Sequence, residues 1–218
     1  MLFRSLKKSV EKAYYKYYTE PVKVTVPQTG TVQLNGNAET YWDKLNVFSI
    51  IAKVKGVIRI TNNLSVKTET IPDEMIRSDI ENQILSNRTI SDPDKIKVKV
   101  TNGLVFLTGT VHFYHEAMVA EQVASWWKGV KSVDNQLDIL PPSDAETDGN
   151  LADVVREVIK ENFPQDSKNV EIHLSNLVLT LNGTVDTLWL KHAIEGEVHG
   201  IVGLKEVVNN LAVEPYMP

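Results

Sequence analysis

The run HFYHE at residues 112–116 sets His112, His115 and Glu116 within one helical turn, a spacing that can grip a divalent metal. No distant ligand to complete such a site is evident in the sequence, nothing equivalent occurs elsewhere in the chain, and a helix start that happens to carry two histidines accounts for the run better. A second run, DAETDG at 144–149, imitates the first half of a calcium loop, with Asp144, Glu146, Asp148 and Gly149 at alternating positions. Such a loop needs a bidentate glutamate at its twelfth residue, and here that residue is Val155. The glycines stand singly, each read as a turn, and form no phosphate cradle. Thiolate chemistry is absent with cysteine. The expectation is therefore no enzyme, no catalytic residue, no metal and no cofactor.

What remains is binding chemistry. Trp126 falls on an outward stripe of its helix with His115, Val119 and Gln122, and Lys128 lies beside it. A tryptophan so placed needs a partner, and a membrane interface, a protein surface or a neighbouring domain all suit its amphipathic ring. The first helix interleaves Arg4, Lys7, Lys8, Lys12 and Lys16 with Phe3, Leu6, Val10, Tyr14 and Tyr17. Cations near an anionic bilayer contribute about 1 kcal/mol each, enough for reversible adsorption, while a solvated helix face over an apolar stripe explains the same pattern.

The elements that hold these residues repeat. GVIRITNNL at 56–64 returns as GVKSVDNQL at 129–137 and GLKEVVNNL at 203–211, and a second glycine precedes each phrase by 20 residues (Gly36, Gly109 and Gly183 before Gly56, Gly129 and Gly203). The period is 73 and then 74 residues, the size of a small domain rather than a solenoid unit. In the middle copy, Ile76, Ile80 and Ile84 mark an amphipathic helix over 73–87 with Asp73 and Glu74 at its start. KIKVKV at 95–100 alternates like a half-buried strand, TNG makes the turn, LVFLTG returns, residues 112–127 form a second helix, and KSVDNQLDIL closes as a third strand. The third copy has Ser175 and Asn176 at the hairpin turn in place of glycine. LPPSDAETDGN at 140–150 reads as a linker.

The reading is α+β: three tandem small domains over 1–70, 71–140 and 151–216, with a linker at 141–150. Each is helix-strand-strand-helix-strand, a mixed three-stranded sheet covered on one face by two helices. Counted from the leading glycine, the eleventh, fifteenth and eighteenth residues of the second helix (Val47, Ala120, Ile194; Ile51, Ala124, Val198; Val54, Trp127, Ile201) face the sheet. The sixth residue, Trp42, His115 or Trp189, lies on the outer side, where recurrence of tryptophan points to shared packing. Leu104 and Phe106 are placed to close the sheet's open face against a neighbour.

The run VEIHLSNLVLTLNGTV, followed by a helix and GLKEVVNNLAV, resembles the BON domain, a bacterial module named for osmotically inducible and nodulation proteins. The paired glycines carry the likeness in all three copies, and the closing NNL plus valine in the first and third, where the second has NQL and Ile139. It implies a non-enzymatic module that associates with phospholipid membranes or envelope partners, mostly in the periplasm or outer membrane, or in some members binds a small ion.

Charge is uneven: net +6 over residues 1–71, −3 over 72–140 and −8 over 141–218, for −5 in all. Opposite ends permit salt-sensitive head-to-tail self-association. Acidic second and third copies disfavour nucleic acid. No run approaches the roughly 18 apolar residues of a membrane span, and the first residues lack the apolar centre of a signal peptide. The chain as written reads as soluble and unsecreted, which a mature form given a new Met1 would match; the resemblance points to the envelope. The expected partner is an anionic phospholipid surface, or alternatively an envelope protein or a second copy of the chain.

Overall fold

The helix that opens each repeat carries an apolar residue every fourth position: Leu6, Val10 and Tyr14; Ile76, Ile80 and Ile84; Leu151, Val155 and Ile159. At about 100° per residue these share one side of the helix, and burying that side against a sheet builds each core. The computed structural model describes residues 2–141 and 148–214.

The first repeat runs α1 (Leu2–Tyr14), β1 (Val22–Gln28), β2 (Thr31–Ala38), α2 (Tyr41–Ala52) and β3 (Arg59–Val66). The second runs α3 (Asp73–Leu85), β4 (Ile96–Thr101), β5 (Leu104–Val111), α4 (Tyr114–Ser125) and β6 (Ser132–Ile139). The third runs α5 (Asp148–Asn162), β7 (Val170–Ser175), β8 (Val178–Val185), α6 (Leu188–His199), β9 (Glu206–Asn209) and β10 (Ala212–Val213). In each sheet the middle strand pairs antiparallel with its hairpin partner and parallel with the strand that follows the second helix. The last strand of the third repeat is split, and both pieces lie parallel to β8. The helix α5 begins inside the expected linker. Of the acidic run at 144–149, residues 144–147 lie outside the described residues.

The two glycines of each repeat play different parts. Gly56, Gly129 and Gly203 turn the chain after the second helix, with φ of +88°, +88° and +111°. Gly36, Gly109 and Gly183, expected at turns, instead lie inside β2, β5 and β8. A Cβ on Gly109 or Gly183 would run into the carbonyl oxygen of Lys95 or Asn169, and φ of +117° and +122° is strained for any other residue. These glycines let the neighbouring strand approach, which is why their position is so strictly kept. In the third hairpin the turn residues are Asn176 and Leu177, both with positive φ, rather than Ser175 and Asn176.

The repeated phrase has its own explanation. Its asparagine, Asn62, Asn135 or Asn209, donates from Nδ2 to the carbonyl of Lys44, Ala117 or Lys191 at 2.7, 2.9 and 3.0 Å. The same side chain accepts from the backbone N–H two residues on, at Leu64, Leu137 or Leu211. One amide thus ties the third strand to the second helix in every copy.

The repeats join through their second helices, and they do so cyclically. The fifth residue after each strand glycine enters the core of another repeat: Tyr41 of the first packs on the second, Tyr114 of the second on the third, and Leu188 of the third on the first. The sixth and seventeenth residues follow the same order. Trp42 meets Trp126 edge to face with ring centroids 5.4 Å apart, and the Lys53 ammonium lies 5.2 Å from the Trp189 ring. Burying a large apolar side chain is worth roughly 1.5–3 kcal/mol, whereas an exposed cation–π pair is worth about 0.5–1 kcal/mol, so the fifth residues dominate the joint.

The outer sheet faces are not used for this joint. Leu104 is 40% exposed and Phe106 half-buried, opposite Lys99 on one side and Asp134 on the other. The expectation that they close the middle sheet against a neighbour is corrected: the neighbours meet helix to helix on the other side.

Candidate functional site

The outer stripe of α4 divides in two. The helix, expected over 112–127, spans Tyr114–Ser125, so Trp126 caps its end and Lys128 stands in the turn beyond. Trp126 is 60% exposed even after its ring meets Trp42, and Lys128 is exposed. His115 is different. Only 8% exposed, it is enclosed at the joint with α6, and the expectation that it faces an open binding surface is corrected. The cause is the neighbour: Tyr114 donates its backbone N–H to the Leu204 carbonyl at 2.8 Å and sets its ring 4.7 Å from His199, drawing the start of α4 under α6. Val119 is half-buried on the same side.

Between α2, α4 and α6 lies a crevice of about 440 Å³, lined by Trp42, Leu45, His115, Met118, Val119 and His199 among others. His115 Nδ1 and His199 Nε2 are buried without a hydrogen-bond partner. Burial holds the His199 imidazole below its ordinary value, against the pull of Glu195 and with the push of His192. Glu195 itself is raised by burial but lowered more by hydrogen bonds from His192 and Asn209, so its carboxyl stays below the usual range.

Glu116 sits in the HFYHE run, but its carboxylate is committed to backbone. It is 1% exposed and accepts from the N–H groups of Ser91, His112 and Phe113 at 2.8, 2.6 and 3.1 Å. His112 reaches Asp92 at 3.3 Å. Among the described residues no three His, Asp or Glu side chains gather in a way that could hold a metal ion.

The basic helix is the second candidate surface. Lys7, Lys8 and Lys12 are exposed on α1; Lys7 lies 3.6 Å from Glu11. The helix ends at Tyr14, so Lys16 and Tyr17 belong to the turn that follows, with the Lys16 ammonium 5.1 Å from the Tyr17 ring. Tyr15 and Tyr17 are 50% and 61% exposed. Exposed cations and exposed aromatic rings therefore occur together at this end of the chain, in contact at Lys16 and Tyr17.

The BON domain model matches three times, over residues 4–68, 72–141 and 147–215. The chain belongs to the BON domain family. Its three BON repeats account for every described element. The chain is similar to osmotically-inducible protein Y of Escherichia coli (strain K12), at 25% identity over 158 residues, 70% of this chain and 78% of that protein. Among solved structures it resembles CdsD, a structural protein of the type III secretion system of Chlamydia trachomatis, with 14% identity, 97% of this chain and 93% of that chain covered, and a TM-score of 0.29. The PrgH periplasmic domain matches with 9% identity, 95% and 99% coverage and a TM-score of 0.24. At such scores these two likenesses carry no argument about assembly.

Three features of the BON repeats were not read from the sequence as functional: the asparagine clamp, the Glu116 cap and His199. The asparagine was visible as a repeated letter. His199 had no signal, because its surroundings come from another repeat.

Proposed function

We propose that this protein is a non-catalytic binding protein that adsorbs on anionic phospholipid surfaces at the bacterial envelope. The carrying observation is Trp126: 60% exposed, braced by Trp42, and followed by exposed Lys128. A braced indole has little freedom left to lose when it binds, and an indole is stable at the headgroup level where its ring is apolar and its N–H is wet. The cations of α1 and the adjoining turn, Lys7, Lys8, Lys12 and Lys16, supply attraction of about 1 kcal/mol each near an anionic leaflet. Likeness to an osmotically inducible protein supports a role under osmotic stress.

Co-sedimentation with anionic and neutral liposomes at low and moderate salt tests this. Pelleting with anionic vesicles only, weakened by salt and by Trp126→Ala or Lys8→Glu, is the expected result. Absence of pelleting with either vesicle, or full adsorption by Trp126→Ala, overturns it.

A second reading is favoured by the charge separation, +6 over residues 1–71 against −8 over 141–218. Such a chain can assemble head to tail as a scaffold. A light-scattering mass above the monomer at low salt that falls to the monomer at high salt supports that reading.

A further inference from the structure

The three joints of the ring are built on one plan, and the plan shows where the third differs. At the first joint the sixth-position residue Trp42 meets an indole at the seventeenth position, Trp126. At the joint that closes the ring, Trp189 meets the side chain of Lys53. At the remaining joint the sixth residue is His115 and the seventeenth is Gly200, which brings no side chain, and both line the crevice. Gly196, one turn earlier on the same face, brings none either. A Cβ added at Gly196 would meet nothing within 4 Å, and one at Gly200 would touch only the Glu197 carbonyl oxygen at 3.4 Å. The crevice of about 440 Å³ therefore opens where the other joints place a ring or a long side chain.

Its polar groups narrow what it would take. His115 is more than nine-tenths buried, and its Nδ1, like His199 Nε2, has no hydrogen-bond partner. With its proton on the other ring nitrogen, a neutral imidazole presents the unpartnered nitrogen as an acceptor, and for that tautomer the complement is an N–H or O–H donor. Glu121 on the crevice wall and Glu195, 3.8 Å from His199 Nε2, disfavour an anion. Glu121 accepts from the Asn135 amide at 3.2 Å, an interaction that a ligand cation would have to share. The remaining walls are Trp42, Leu45, Met118 and Val119, apolar and partly aromatic, with Thr89, Gln122 and Ser125 as their polar members. Methionine adapts to a flat ring through its polarizable sulfur, and the bare glycine face of α6 admits one closely.

We propose that this crevice binds a small planar aromatic molecule bearing one N–H or O–H donor, its ring over Gly196 and Gly200 against Met118 and its donor directed to His115 Nδ1 or His199 Nε2. This site is separate from the phospholipid reading and stands or falls without it. Such a ligand would touch all three repeats, so its occupancy would tighten the ring.

The test is titration of the full ¹⁵N-labelled chain with indole, read from the imidazole ¹⁵N resonances of His115 and His199, with naphthalene as a flat probe lacking the donor. Saturable shifts at both histidines are expected, with indole bound about tenfold more tightly than naphthalene because only indole satisfies an imidazole nitrogen. Gly196→Leu, which occupies the open space, should abolish the shifts. Gly200→Trp, which restores the indole found at the first joint, should abolish them independently should the leucine variant misfold. Histidine resonances unmoved by excess indole, equal binding of the two probes, or unchanged titration of a folded variant would each overturn the proposal.

Discussion

Lys53 of the first repeat holds its ammonium 5.2 Å from the centre of the Trp189 ring of the third, and this contact closes the ring of repeats. It joins the first and third repeats, far apart in sequence and opposite in regional charge. Both residues are exposed by more than a third, so the pair is a modest one. A double-mutant cycle of Lys53→Met and Trp189→Leu, followed by urea unfolding, should return a coupling of about 0.5–1 kcal/mol. Zero coupling would leave ring closure to Leu188, Val213 and the Phe48–His192 ring contact.

Leu188 carries more. It is 6% exposed and belongs to the core of the first repeat although it opens α6 of the third. Leu188→Ala should cost roughly 2–5 kcal/mol of coupling between these repeats. Calorimetry should show the single transition broadening or splitting as the third repeat melts apart from the first. A sharp, merely shifted transition would mean the other joints suffice for cooperativity.

The strands, helices and cores of each repeat were legible because alternation and four-residue spacing report what faces a chain's own sheet. Val47, Ala120 and Ile194, read as sheet-facing, are all fully buried. The outer helix face could not be read that way, since its surroundings belong to another repeat. His115 looked like a companion of Trp126, yet one is enclosed and the other open. A signal did exist: the fifth residues Tyr41, Tyr114 and Leu188 are large and apolar in all three copies at the start of the helix, which an unburied position has no reason to maintain. The strand glycines were read as turns because glycine's freedom suggests one. Their actual constraint, a carbonyl pressed against the Cα, involves a residue 14 positions upstream of Gly109 and Gly183 and leaves no local mark.

Asn135 binds the Ala117 carbonyl, the Glu121 carboxylate and the Leu137 N–H, and none of these is replaced when the amide is lost. Asn135→Ala should therefore destabilise by about 1–3 kcal/mol, measured by urea unfolding. Asn135→Asp should do no better, because it removes the Nδ2 donor and sets a second carboxylate beside Glu121. Wild-type stability in the aspartate variant would show that the donor is dispensable.

Glycines on the two kinds of site should respond oppositely to alanine. At Gly109 the added methyl meets the Lys95 carbonyl in a left-handed backbone, and a loss of at least about 1–3 kcal/mol is expected. At Gly196, inside α6 with open space around it, alanine should stabilise by up to about 1 kcal/mol. Thermal unfolding of the two variants checks both signs. A destabilised Gly196→Ala would show that the face of α6 is closed to a side chain.

Acid should weaken the fold in two separate windows. Burial against Tyr114, with His192 adding to it and Glu195 opposing, holds the folded His199 below its ordinary 6.5. The unfolded chain then binds the proton more readily, so this contribution is complete above pH 6.5 and is lost as the pH falls from there toward the folded value. For Glu116, burial pushes upward, but hydrogen bonds from Ser91, Phe113 and His112 outweigh it and hold the carboxyl below its ordinary 4.5. That contribution is present above pH 4.5 and disappears as the pH drops through the folded value, where the lowered Glu195 adds to the same window. Urea midpoints measured from pH 8 to 3 should therefore fall twice. His199→Gln should remove the first fall and leave the second, and Glu116→Gln should lower stability at neutral pH while flattening the second. A wild-type fall between pH 6.5 and 5.5 that persists unchanged in His199→Gln would contradict the assignment to His199.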